Sequence, residues 1–203
     1  MSAIALFPVR LHRTDCEALV AHFLALNPDD RRLRFGAALP DERLRELVEG
    51  IHFERDELFA VANHDMRLLG VVHVALGPGP AELGLSVLPE ARGQGIGNAL
   101  FTRAVMHLRN RGVKEVFVHC LSENTTMMHL AHKHGMRIEY DGSESEAFLR
   151  LPHASTESVL AEWFHDKQAN ALHALKRQSH FTRSLWAILA RAREAVLLRG
   201  EQL

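Results

Sequence analysis

Arg92-Gly93-Gln94-Gly95-Ile96-Gly97 crowds three glycines into one turn, more than chain reversal requires. Glycines let successive backbone N–H groups converge on one point, and a helix opening there adds its positive dipole end, so the turn suits a phosphate-like anion. It is not a Walker A loop, because Gly97 is followed by Asn98 and Ala99 rather than Lys and Ser/Thr. Nor is it a dinucleotide fingerprint. The glycines run G-x-G-x-G, and the nearest acidic residue, Glu115, opens the next strand instead of closing it.

The flanking elements must position this turn. Upstream, Leu83, Leu85 and Val87 alternate with Glu82, Gly84 and Ser86, the period of a strand with one apolar face. Downstream, Ile96, Leu100, Ala104 and Leu108 recur at helical spacing, and Gly112 stands where a helix ends.

Arg92-x-x-Gly95-x-Gly97, after a strand closing in Val87-Leu88-Pro89-Glu90, resembles the acyl-CoA motif of the GNAT acetyltransferase superfamily. A second stretch, Asn124 to Met136, is similar to that family's next motif, with its asparagine, inner leucine, lysine and Gly135 in register. Two motifs in the right order, spanning roughly residues 82 to 140, are more specific than either alone.

The resemblance implies an α/β domain of GNAT fold, with a mixed, mostly antiparallel central sheet flanked by helices. It implies acetyl-CoA as cosubstrate, with backbone contacts from Leu85, Ser86 and Val87 to pantetheine. Arg92, Gly93, Gln94, Gly95, Ile96, Gly97 and Asn98 would serve the diphosphate, and Asn124 either pantetheine or the cap of its own helix. Val87 N–H would face the thioester oxyanion. Glu82 matches a general-base glutamate proposed in bacterial protein lysine acetyltransferases of the superfamily; the alternative is a solvated strand carboxylate. The family tyrosine that protonates the departing sulfur falls at Ala131, a departure shared by some bacterial protein acetyltransferases. The implied reaction is direct acetyl transfer to an amine, a protein lysine first and a small-molecule amine second. A non-catalytic acyl-CoA-binding module is the alternative of a different class.

Other chemistries lack their patterns. Neither Ser86 nor Cys120 sits in a nucleophile elbow. His129, His132 and His134 have no cysteine or carboxylate at metal-site spacing, so no metal is expected. The formal net charge of −1 argues against nucleic-acid binding. Cys16 and Cys120, far apart, imply no disulfide framework, and the opening Ser2 to Leu11 does not resemble an export signal. A cytoplasmic protein without membrane association is expected.

Along the chain, Ile4 to Leu11 reads as a strand, and Thr14 to Glu17 as a capping box opening a helix that Asn27-Pro28-Asp29 stops. Arg31-Arg32-Leu33-Arg34-Phe35 reads as solvated arginines with Phe35 as anchor; the same segment resembles an arginine-phenylalanine stretch of the lysine acetyltransferase subgroup. A second helix carries Leu44, Leu47, Val48 and Ile51. Strands follow at 58–62 and 68–76, joined through Asn63-His64-Asp65, then at 116–120, 136–140 and 147–151. The expected division is an acetyltransferase domain at 1–152 and a helical extension at 153–203. In the extension Leu160, Trp163, Phe164, Leu172, Leu175, Phe181, Leu185, Ile188 and Leu189 suggest apolar faces on one or two helices. These would fold back on the domain, form a homodimer contact, or cover the cleft; packing or dimerisation is favoured.

Overall fold

The computed structural model describes the backbone of residues 6–200 and the side chains of residues 6–178. Seven strands form one sheet: β1 (Val9–Arg10), β2 (Glu57–Ala62), β3 (Leu68–Ala75), β4 (Ala81–Val87), β5 (Glu115–Leu121), β6 (Arg137–Asp141) and β7 (Glu144–Arg150). Their order is β1-β2-β3-β4-β5-β7-β6. Every neighbouring pair is antiparallel except β4 and β5. This is the mixed, mostly antiparallel sheet that the resemblance implies.

Helices cover both faces: α1 (Cys16–Leu24), α2 (Pro28–Phe35), α3 (Asp41–Glu49), α4 (Ile96–Asn110), α5 (Thr125–Lys133) and α6 (Thr156–Gly200). The alternation of apolar residues along the strands divides the core in two. Leu19 and Phe23 of α1 and Leu44 and Val48 of α3 pack with Leu58, Ala60 and Val71 on one face. Ile96, Leu100, Ala104 and Leu108 of α4 pack with Val72, Val74 and Leu83 on the other. These four α4 residues are each no more than 2% exposed, so burial of this stripe dictates how α4 lies.

Several expectations need correction. Of the expected first strand, residues 4 and 5 lie outside the described residues, and only Val9–Arg10 pairs with β2. The Thr14 capping box does not form; the Asp15 carboxylate instead accepts from His12 N–H at 2.8 Å across a 3-10 turn, Arg13–Asp15. Asn27-Pro28-Asp29 stops α1 and also starts α2. Asn27 Oδ1 accepts from Asp30 N–H at 2.8 Å, and Pro28 occupies the first turn, where its missing N–H costs nothing. The arginine segment is therefore helical. The last strands begin and end a few residues from their expected bounds, because pairing rather than apolar content sets their ends.

The extension is one 45-residue helix, and its polar side, not its apolar side, meets the domain. Glu162 accepts from Arg103 Nη1 at 2.9 Å and Asn110 Nδ2 at 2.7 Å, with His107 Nδ1 at 2.6 Å; Asp166 accepts from Arg103 Nη2 at 2.6 Å. Leu160, Trp163, Phe164, Leu172 and Leu175 face solvent. Phe181, Leu185, Ile188 and Leu189 lie outside the described side chains. No helix among the described residues is long and apolar enough to cross a membrane.

Candidate active site

The sheet opens at its centre. β4 and β5 pair only at Ala81↔Val116 and Glu82↔Phe117, and beyond these they part. Leu88 N–H donates to Leu69 O at 2.8 Å, which sets the hydrogen-bonding parity of β4 against β3. By that alternation Ser86 and Gly84 turn their backbone groups to β3, while Leu85 and Val87 turn theirs toward β5. There they have no strand partner. Val87 O accepts instead from Arg92 Nε at 3.3 Å.

The glycine turn stands at the end of this opened edge. Gly93 and Gly95 have φ of +73° and +80°, the left-handed region where a Cβ is costly, and α4 starts at Ile96. Amides in such a turn at a helix N-terminus form an anion-binding concavity. Opened edge and turn share one cavity of about 540 Å³.

Most of the expected site residues line that cavity: Leu85, Ser86, Val87, Arg92, Gly93, Gly95, Ile96, Gly97, Asn98 and Asn124. Gln94 does not, since its Nε2 turns back to donate to Glu90 O at 3.3 Å. Glu82 also lies outside the lining, on the exposed part of β4. Asn124 does what a cap does: its Oδ1 accepts from Met127 N–H at 3.0 Å, while its Nδ2 donates to Leu33 O at 3.4 Å. Arg92 is tied to Asp30 at 2.5 Å, and Asn98 Oδ1 accepts from His134 Nε2 at 3.1 Å.

Three contributors escaped sequence reasoning. Helix α2 spans the cavity, held to one rim by Asp30–Arg92 and to the other by Arg32–Glu123, and it lends Asp30, Leu33 and Arg34 to the lining. His22 of α1 lies buried behind Ser86, with Nε2 2.9 Å from Ser86 Oγ and Nδ1 2.9 Å from Leu68 O. Burial pulls its pKa down to about 4. The neutral ring therefore donates from Nδ1 to the carbonyl and accepts the Ser86 hydroxyl proton at Nε2. Arg34 is the third. Its head occupies the space a Cβ on Gly84 would need, so the glycine amid Leu83, Leu85 and Val87 was the available sequence signal.

An unpaired strand edge with free amides can bind an extended chain bearing amides, and the glycine turn beside it can bind a diphosphate. Among the described residues no group of three or more His, Cys, Asp or Glu could hold a metal ion.

Comparison with known proteins gives the fold and the family. The GNAT domain of S. lividans PAT superposes with a TM-score of 0.61 at 17% identity, covering 74% of this chain and 96% of that one. RimL, a ribosomal L7/L12 alpha-N-protein acetyltransferase solved with coenzyme A, gives 0.60 at 16% identity, over 74% of this chain and 97% of that one. At these identities the likeness is one of fold. Mycothiol acetyltransferase of Cellulomonas flavigena is 34% identical over 89 residues, 38% of this chain and 26% of that protein. The match thus spans about a quarter of that relative's length. The family model described as acetyltransferase (GNAT) matches residues 20–136, more than half of the chain, including strands β2 to β5 and the glycine turn, so the chain belongs to the GNAT family.

Proposed function

We propose that the protein transfers the acetyl group of acetyl-CoA directly to an amine, with a protein lysine as the first choice of acceptor. The observation that carries this reading is the unpaired edge at Leu85 and Val87 leading into the Gly93–Gly97 turn. The turn amides would hold the diphosphate and the strand edge the pantetheine. Val87 N–H would then donate to the thioester oxygen as it gains negative charge.

The acceptor nitrogen must be neutral to attack, yet a lysine amine with a pKa near ~10.4 is protonated at neutral pH. Glu82 is the proposed base. It lies five residues from Val87, roughly 16 Å along a strand at ~3.3 Å per residue, so the proton would reach it through water. The nitrogen, having given one proton to Glu82, forms its bond to the acyl carbon and releases its second proton to water as the carbon–sulfur bond breaks, and the thiolate takes a proton from solvent. Ala131, fully buried, offers no acid at the position where the family tyrosine would stand.

A small-molecule amine is the second reading, supported by the 34% identity with mycothiol acetyltransferase. Turnover measured against lysine peptides and a panel of small amines separates the two, and turnover confined to small amines rejects the first. Calorimetry tests the cofactor. Coenzyme A should bind the wild type, and Gly95→Glu should abolish binding by filling the turn and repelling phosphate; undiminished affinity in that variant would overturn the scheme. Glu82→Gln should leave coenzyme A affinity unchanged and lower kcat at neutral pH by about 10²-fold or more, recovering partly as pH rises. Equal kcat in both proteins removes Glu82 from the mechanism.

A further inference from the structure

Arg34 stands apart from the other arginines around the cavity. Arg31 reaches Asp41, Arg32 reaches Glu123 and Arg92 reaches Asp30. Among the described residues no carboxylate comes within ion-pair distance of Arg34, and none accepts a hydrogen bond from it. Its Cζ lies over the ring of Phe35, 4.9 Å from the ring centre. Its head rests on the bare backbone of Gly84, where any side chain at position 84 would displace it. Burial draws its pKa down to about 10 despite the more distant charge of Glu82.

Placing an arginine head in a cavity without a counter-charge is costly, and a glycine inside a strand adds to that cost. A planar fork of donors with no acceptor in the protein fits a carboxylate, which it can take bidentately.

We propose that Arg34 is a specificity-determining residue that binds a carboxylate of the acceptor, and that the preferred acceptor is a lysine beside an aspartate or glutamate in a peptide chain. This rests on the acetyl-transfer reading above, which puts the acyl carbon near Val87. Gly84 and Val87 are three residues apart, about 10 Å at ~3.3 Å per residue. A charge-assisted hydrogen bond takes up ~2.8 Å of that, leaving on the order of 7 Å between carboxylate and amine. An α-amino acid holds the two groups too close together. The long stem of a lysine, with an acidic side chain next to it, spans the gap.

The test compares lysine peptides carrying Asp or Glu next to the lysine with the same peptides carrying Asn or Gln. Wild-type protein should favour the acidic peptides by about tenfold or more in kcat/KM, mainly through KM, and Arg34→Gln should erase the preference. Equal kcat/KM for acidic and amide peptides overturns the proposal, as does a preference that survives in Arg34→Gln. The wild-type comparison alone suffices if the variant does not fold. Should no peptide be acetylated, the lysine reading fails separately, and calorimetry of 6-aminohexanoate against hexylamine on the coenzyme-loaded protein decides for Arg34. Tighter binding of the carboxylated amine upholds carboxylate recognition, and equal binding overturns it.

Discussion

His22 couples the chemistry of the cavity to stability. Its ring stays neutral because burial disfavours the imidazolium, with the pKa lowered from 6.5 to about 4. The unfolded chain therefore binds a proton between pH 6.5 and 4 that the folded protein refuses, so stability falls as pH drops through this window and levels off below it. The size of the loss is about 3 kcal/mol. His22→Gln, which can still donate to Leu68 O and accept from Ser86, should flatten that limb in denaturant titrations at stepped pH. An unchanged slope between pH 6.5 and 4 would assign the loss elsewhere; His73, also lowered by burial, is the next candidate. The same pair shows what local patterns miss. Residues 64 apart in sequence meet at 2.9 Å, and no spacing rule connects an α1 histidine with a β4 serine.

At the scale of elements, α6 is fastened by charge. Arg103 is 3% exposed and shares Glu162 with His107 and Asn110. Burial opposes ionisation of Glu162, but the His107 and Asn110 hydrogen bonds and the Arg103 charge outweigh it and draw the pKa from 4.5 to about 2. The stability from this carboxylate is complete above pH 4.5 and disappears as pH falls towards 2. Burial also opposes protonation of His107, yet hydrogen bonds with Glu162 and Glu57 hold its pKa above the ordinary value. Its contribution is full below pH 6.5 and is lost as pH rises through the raised pKa. Glu162→Ala leaves a buried arginine with one weaker partner and should cost about 3 kcal/mol. Hydrogen exchange should show the first turns of α6 losing protection before α4 does; unaltered protection there would mean that apolar contacts hold the helix.

For the whole molecule, that anchoring leaves Leu160, Trp163, Phe164, Leu172 and Leu175 between 42% and 63% exposed on the opposite side of α6. A second copy laid along this stripe would remove two aromatic rings and several leucines from water, the main gain in homodimer formation. Sedimentation equilibrium should find a dimer that Trp163→Glu with Leu175→Glu converts to a monomer, without loss of coenzyme A affinity. A wild-type monomer at every concentration tested would exclude this contact.

Short-range pattern in the chain already held the alternation of β4, the apolar stripe of α4, the glycine turn between them, and the two motifs that carry the family resemblance. Those features obey strand or helix periods and turn chemistry, which a dozen neighbouring residues decide. The packed molecule settled what depends on distant partners. It turned the charged side of α6 inward, because Arg103 presents a buried cation and His107 a buried ring nitrogen, both of which Glu162 meets. It laid Arg34 on Gly84, a contact between segments fifty residues apart whose sole local trace is a missing side chain. Burial and charge pairing act through space, so the chain carries their cause in no single stretch.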